Sequence, residues 1–360
     1  MRIGLNETAL RRGVDPAHAG HKTTLTPQPD PLSRAERGPS SERAAVPVLF
    51  IGGWGRCGST LLDMLLGQVT DVLSVGEVRE IWLRGCVENR PCGCGLAFHQ
   101  CPFWVAVGER AFGGWDAVDL PDLLKTRYSL DRPWGIARIV LPGRGKSSRA
   151  LDRYCDALSR LYSAIRDVSG AEVVVDSSKL SSHALLLRRS KNIDVRVVHL
   201  VRDSRGVAYS LQQQVEKRVT TGASTMLPQH GPLTASLRYA LYNGLTDALR
   251  LSRGAQMRLR YEDLMDDPAR HLRRILGFAG DGVATGSLDF LSGNVAKMRS
   301  NHMVDGNPIR FITGSVILRR DERWRDASRR GHRALVAALT LPFLVAYGYV
   351  RADRRHRPDA

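Results

Sequence analysis

Four times along the chain, a short apolar run ends in small or polar residues and gives way to a stretch of helical periodicity. VPVLFIG (46–52) leads into a helix from about Ser59 to Leu66, and AEVVVDS (171–177) leads into SSHALLLRRS. DVRVVHLVRD (194–203) precedes GVAYSLQQQVEK, and AQMRLRYEDL (255–264) precedes ARHLRRILGFAG. Near-continuous valine, isoleucine and leucine runs separated by helices mark strands buried on both faces. They predict an α/β fold with a P-loop-like parallel sheet flanked by helices. A further short strand is expected at Asp71–Val75. Residues 80–165 interrupt the alternation and are expected to form an inserted, mostly helical cap. Ligands of such sheets bind beyond the carboxyl ends of the strands, where loops meet helix N-termini.

The flanks read differently. Residues 1–45 are rich in Pro, Ser, Arg and Gly without apolar period, the pattern of a disordered tail, and they hold no apolar segment of secretory type. Residues 46–350 are expected to form one domain and 351–360 a basic tail. Ala334–Val350 is an uncharged apolar run, but it falls short of the roughly 20 residues that span a bilayer and Pro342 interrupts it. It is read as a buried C-terminal helix in preference to a membrane segment, and the chain as cytoplasmic.

A chain of 360 residues with 43% hydrophobic content can bury a large core. The net charge of +17 points to an anionic ligand or surface without separating nucleotide, nucleic acid and membrane. Much of it lies in arginine-rich stretches at 319–333 and 351–357, which read as solvated faces and tails. No helix-turn-helix, zinc finger or aromatic-interleaved basic strand is evident, so nucleic acid is not the expected partner. Cys86, Cys92, Cys94 and Cys101 crowd into LRGCVENRPCGCGLAFHQCPFW. Locally packed thiols are the first reading there. Metal ligation and a disulfide stay open, although C-x-C with long flanks departs from paired C-x2-4-C knuckles.

Candidate chemistry starts at VLFIGGWGRCGSTLL (48–62). Gly53 and Gly58 have Walker A spacing, yet Ser59 stands where the Walker lysine belongs and a cation appears early, as Arg56. A glycine-rich turn between strand and helix cradles phosphate with backbone N–H groups and the positive helix end. At the exit of the 194–203 strand, Arg202 is followed eight residues later by Ser210. A guanidinium fork fits a phosphate bidentately and a serine adds a neutral donor.

Together these elements resemble sulfotransferases that use 3′-phosphoadenosine-5′-phosphosulfate (PAPS), in the branch with bacterial, carbohydrate and tyrosylprotein enzymes. GRCGSTLL is similar to the family's 5′-phosphosulfate loop, with Arg56 where the family has Lys or Arg. Arg202, Asp203 and Ser210 match its 3′-phosphate element position for position. VDSSKLSS, RYEDLMDDPARHLRRILGF and HMVDGNPIRFITG (302–314) followed by LRRDERWR resemble further family segments, so the likeness runs from about Val48 to Tyr349, except much of 100–165.

The resemblance implies a PAPS-binding set of Gly55, Arg56, Cys57, Gly58, Ser59, Thr60, Arg202, Ser210, Tyr261, Asn307 and Arg310, with Trp324 packing nearby. It also implies Glu77, in GEVREI, as the base and Lys179 as a second cation beside Arg56. No histidine-base segment of the K-T-H-L-P type is present. Sulfuryl transfer asks for positioning and fixed positive charge, and no metal is expected because the leaving group is a single phosphate. The acceptor, a carbohydrate, glycolipid, tyrosine or small alcohol or phenol, is left open. Trp82 to about Pro142 is expected either to shape its pocket or to form core. An NTP-dependent kinase and a basic nucleic-acid-binding protein are the rival readings.

Overall fold

The computed structural model describes residues 45–350, apart from 132–133, 142, 144, 214–215, 221–222, 227, 253 and 285. Both tails, 1–44 and 351–360, therefore lie outside the described residues. Strands β1 (Val46–Gly52), β2 (Val72–Gly76), β3 (Val173–Lys179), β4 (Ile193–Val201) and one at Gln256–Arg260 form a five-stranded sheet. Its order is β2-β3-β1-β4 and then the Gln256–Arg260 strand, and every pairing is parallel. Alternation within β1 explains its apolar run: Val48 and Phe50 pack into one core layer, Leu49 and Ile51 into the other. The expected parallel, two-faced sheet is thus present.

Register positions the site. Gly52, the last residue of β1, pairs with Lys179 on one side and with His199 on the other. The loop leaving β1 therefore starts beside the ends of both neighbouring strands. Helix α1 (Ser59–Leu66) covers one face, where Leu61, Leu62 and Leu65 meet the buried Leu272, Ile275 and Leu276 of a later helix.

The inserted segment is helical as expected. A 3-10 turn at Val78–Glu80 and a π-helical stretch at Ile81–Val87 lead to α2 (Pro102–Phe112), α3 (Leu120–Leu130), α4 (Gly135–Val140) and α5 (Lys146–Ser169). Helix α5 lays Tyr154, Leu158, Leu161, Tyr162 and Ile165 in the core layer on the other face of the sheet. Trp82 and Trp104 are fully buried and Trp115 nearly so, with Trp82 Nε1 donating to Tyr154 Oη at 3.2 Å. Of the two readings of these aromatics, core is the one realised.

After α6 (Ser181–Arg189) comes α7 (Ser204–Gln212), shorter than the expected GVAYSLQQQVEK helix. Glu216–Thr220 is strand β5, antiparallel to β6 (Ala223–Met226). Val219 and Thr220 close that stretch, and β-branched residues favour a strand over a helix. Helix α8 (Pro232–Ala248) then precedes the sheet strand β7 (Gln256–Arg260). The expected strand 255–264 stops at Arg260, because Tyr261 opens α9 (Tyr261–Asp266) with Glu262 and Asp263 favoured by the dipole in its first turn. Helices α10 (Pro268–Ala279) and α11 (Asp281–Ala284) are followed by a small antiparallel sheet of β8 (Leu291–Ser292), β9 (Val295–Met298) and β10 (Gly314–Ile317).

The C-terminal apolar run is a correction. It is two helices rather than one buried helix: after the short α12 (Trp324–Ala327), α13 (Arg330–Leu339) and α14 (Leu341–Ala346) meet at the buried Thr340. Pro342 sits in the first turn of α14, where a missing N–H costs nothing. Val336, Leu344 and Tyr347 are buried, while Leu335, Leu341 and Val345 stay exposed. Among the described residues, no helix is long and apolar enough to cross a membrane.

Candidate active site

The loop between β1 and α1 is held by close approach. A Cβ on Gly53 (φ 137°) would lie 2.5 Å from the Leu200 carbonyl oxygen, so the chain hugs β4 as it turns. A Cβ on Gly58 (φ 98°) would lie 2.8 Å from the Tyr261 ring. Gly55 faces open space, and Arg56 itself adopts the left-handed region at φ 69°. No side chain caps the N-terminus of α1, so its first N–H groups stay turned to the loop. Ser59 and Thr60 are buried there, as is Cys57, whose thiol burial pushes up in pKa.

Two guanidiniums meet at this loop. Arg202, at the end of β4, is 1% exposed. Its Nη1 donates to the Arg56 carbonyl at 3.2 Å, and its Nη2 reaches the Asp321 carbonyl at 3.0 Å and carboxylate at 3.3 Å. The Tyr261 ring lies under it, 4.7 Å from Cζ, with its hydroxyl donating to the Arg319 carbonyl at 3.3 Å. Arg56 is mostly buried beside Arg202. Burial first, and the Arg202 charge second, lower its pKa. Its Nη1 is buried with no hydrogen-bond partner among the described residues. Ser210 lies on the buried side of α7, whose N-terminus Asp203 caps by accepting from the Arg205 amide. Trp324 packs against Gly206 and under the Arg205 guanidinium.

The β2 and β3 ends add the other pair. Glu77 follows Gly76, and its carboxylate is ion-paired to Lys179 Nζ. Lys179 also takes a left-handed backbone, φ 68°, and donates to the Ser177 carbonyl at 3.3 Å. Gly306 wedges in between: its Cβ would be 3.3 Å from Thr60 Oγ1 and 3.7 Å from Glu77 Oε1.

Under this pair lies a carboxyl that was not singled out in the sequence. Asp63 on α1 is fully buried and accepts from Ser74 Oγ of β2 and Ser177 Oγ of β3, each at 2.6 Å. Burial outweighs those donors and pushes its pKa up to about 7. The signal was available, since a lone acid in STLLDMLL interrupts an otherwise apolar helix. Asp321, the partner of Arg202, was also missed. Burial alone would raise it, but Arg323 and Arg202 hold it below the usual carboxylate range.

Two expected nucleotide ligands have their side chains engaged within the protein. Arg310 is 1% exposed and its guanidinium donates inward, to the Pro91 carbonyl at 2.9 Å and the Gly306 carbonyl at 3.2 Å, with Asp305 at 3.5 Å. Asn307 uses its side chain to accept from the Ile309 amide, while its own backbone N–H donates to Thr60 Oγ1 at 3.2 Å. Asn307 ties the late loop to α1, and Arg310 ties it to the cap at Pro91. The described cysteines are free thiols; Cys92, Cys94 and Cys101 come together with His302, and Cys86 stands apart from them. A hollow of about 900 Å³ lined by Met265, Pro268, Arg273 and Leu288 contains none of the candidate residues.

Residues 144–282 match the model described as the Sulfotransferase family. That span takes in Lys179, Arg202, Ser210 and Tyr261, and ends short of the late loop; it starts after the β1–α1 loop and Glu77. Two solved structures are similar to this chain. One is the sulfotransferase domain of the olefin synthase from Synechococcus PCC 7002, at 16% identity over 84% of this chain and 96% of that one, with a TM-score of 0.38. The other is a sulfotransferase domain from the curacin biosynthetic pathway, at 15% identity over 83% and 98%, with a TM-score of 0.42. No curated protein matches with significance. The family match thus spans the strand ends that carry Lys179 and Arg202, and over residues 144–282 the chain is similar to the sulfotransferase family.

Proposed function

We propose that this chain is a sulfotransferase that takes its sulfuryl group from PAPS and passes it to an acceptor hydroxyl. The observation that carries the reading is the pair of arginines at the uncapped N-terminus of α1, with a buried Arg56 N–H left without partner. Two adjacent buried cations are costly unless an anion joins them, and a helix N-terminus adds donors for the same anion. In this reading Gly55, Cys57, Gly58, Ser59 and Thr60 receive the 5′-phosphosulfate through backbone N–H and hydroxyl donors. Arg202 and Ser210 receive the 3′-phosphate, which a nucleoside triphosphate lacks. Tyr261 supports Arg202 from below, and Asn307 and Arg310 act at one remove by holding the late loop.

The acceptor oxygen attacks sulfur in line, the bond from sulfur to the bridging oxygen of the 5′-phosphate breaks, and 3′,5′-bisphosphoadenosine leaves. Arg56 stabilises charge on that leaving oxygen, with Lys179 as the second cation. Glu77 takes the hydroxyl proton. Its ion pair with Lys179 keeps acid–base and electrostatic groups within one contact of each other at the ends of β2 and β3. In-line attack sends the proton and the leaving nucleotide off on opposite sides of the sulfur.

Calorimetric titration with 3′,5′-bisphosphoadenosine, beside ATP–Mg²⁺, tests this. The bisphosphate is expected to bind, and ATP–Mg²⁺ to bind far more weakly. Losing a charge-assisted contact costs about 1.5–3 kcal/mol, so Arg202→Ala is expected to weaken bisphosphate roughly 10- to 150-fold. Binding of ATP–Mg²⁺ alone would favour the kinase reading, and a folded protein that ignores the bisphosphate would sink the proposal.

A further inference from the structure

Three sulfurs and a ring nitrogen converge about the turn that starts the cap. Cys92, Cys94 and Cys101 come from C-x-C-x6-C, and His302 arrives from the late loop, 201 residues after Cys101. Their ligand atoms all lie within 4.8 Å of one another. Cys94 and Cys101 sulfurs are 3.7 Å apart, and His302 Nδ1 is 3.3 Å from Cys101 Sγ and 3.7 Å from Cys92 Sγ. For tetrahedral zinc with Zn–S of about 2.3 Å and Zn–N of about 2.05 Å, the edges come to about 3.8 Å between sulfurs and about 3.6 Å from sulfur to nitrogen. A disulfide would need about 2.05 Å between sulfurs.

The surroundings hold this arrangement. Cys92 N–H donates to the Leu96 carbonyl at 2.8 Å and Gly95 N–H to the Cys92 carbonyl at 2.8 Å, closing a tight turn with Gly95 at φ 93°. A Cβ on Gly93 would come within 1.8 Å of Asn301 Oδ1, so only glycine lets the late loop so close. Gly93 N–H donates to the Met303 carbonyl at 2.9 Å, and Trp104 Nε1 to the His302 carbonyl at 2.9 Å. The His302 ring stacks on Phe103, 4.9 Å between centroids and 21° between planes. Its Nδ1 is thereby aimed at the sulfurs.

We propose that Cys92, Cys94, Cys101 and His302 form a structural Zn²⁺ site that staples the cap to the late loop. Three thiolates and an imidazole fill the four positions of a closed site, which leaves no place for substrate and makes the role architectural. Cys92 and Cys101 are buried while Cys94 and His302 are partly open, so the ion has a route in. The staple joins segments far apart in sequence, where closing a long loop contributes most. It sits five residues before Asn307, whose amide bonds to Thr60 on α1, so the ion also fixes the approach of that loop to the site.

The test is metal content of the full chain, purified reduced and without chelator from zinc-supplemented medium. Elemental analysis is expected to give roughly one zinc per chain. Replacement by Co²⁺ is expected to give thiolate-to-metal charge transfer and the visible bands of a tetrahedral ion. Cys94→Ser should lose both signals, and Cys86→Ser, outside the set, should keep both. A folded, reduced wild type that takes up neither zinc nor cobalt would overturn the site, as would metal-free protein carrying a Cys94–Cys101 disulfide. The readout is independent of nucleotide binding, so the donor proposal can fail without touching it.

Discussion

Asp63 offers a measurable consequence of burying a carboxyl beneath the catalytic strands. Its two oxygens accept from the Ser74 and Ser177 hydroxyls, and the Lys179 charge acts on it only weakly beside burial. Burial lifts its pKa to about 7 from the ordinary 3.8. The native state thus binds this proton more tightly than the unfolded chain does. The stabilisation is complete below about pH 4 and is lost as pH rises through about 7, with a ceiling of about 4 kcal/mol from roughly three pKa units. Between about pH 5.5 and about pH 8.5 the change is about 2 kcal/mol. Asp63→Asn keeps the shape and removes the titration, since the hydroxyls can turn to accept from the amide. Urea unfolding of both proteins at the two pH values is expected to show the variant gaining that amount on the wild type at the higher pH. Parallel stabilities across the range would refute the reasoning and mean that the two serines alone keep Asp63 ionised.

The active-site reading yields further expectations. Glu77→Gln should lower kcat by about 100-fold or more while leaving bisphosphate affinity within about twofold, because only the proton acceptor is lost; an unchanged kcat would remove Glu77 from the base role. Gly58→Ala forces a left-handed alanine against the Tyr261 ring and should cost about 1–3 kcal/mol of stability, read by urea unfolding. Tyr261→Leu withdraws the ring beneath Arg202 and should weaken bisphosphate binding several-fold, by about 1 kcal/mol, while Tyr261→Phe keeps it; equal loss in both would shift the role to the hydroxyl.

What the sequence made legible follows from how far each signal reaches. Strands β1, β3 and β4 are buried on both faces, and a run of apolar residues is all that such a strand requires, so composition within one window suffices. The β1–α1 loop is also local: glycines, arginine and serine sit within a few residues of each other. Helix limits were weaker, as α7 shows by stopping at Gln212 where the polar QQQVEK pattern had suggested more helix. Long-range partnerships were illegible. Asp321 lies in an arginine-rich stretch that reads as a solvated face, yet its carboxylate is nearly buried against Arg202. His302 joins cysteines some 200 residues earlier, and nothing in C-x-C-x6-C announces where a fourth ligand lies.

The same distinction separates groups that hold from groups that act. Family resemblance places Arg56, Arg202, Asn307 and Arg310 in one binding set, but their partners divide them. The Arg310 fork is filled by two carbonyls and Asp305, and the Asn307 side chain is spent on a turn. Arg202 is fixed at Nη1 and Nη2 by the Arg56 carbonyl and Asp321, so it is aimed before any ligand arrives, and a guanidinium with five N–H donors keeps capacity for an anion beyond those contacts. Arg56 carries a buried Nη1 with no hydrogen-bond partner among the described residues; Arg310 is left with an unpartnered Nε, but its Nη1 and Nη2 are already engaged. A buried donor without acceptor is costly in the free protein and gains most when an anion arrives. That ordering makes Arg202 the anchor that is ready in advance and Arg56 the cation whose interaction strengthens as charge develops, the division expected of a site that must hold its nucleotide and stabilise its departure.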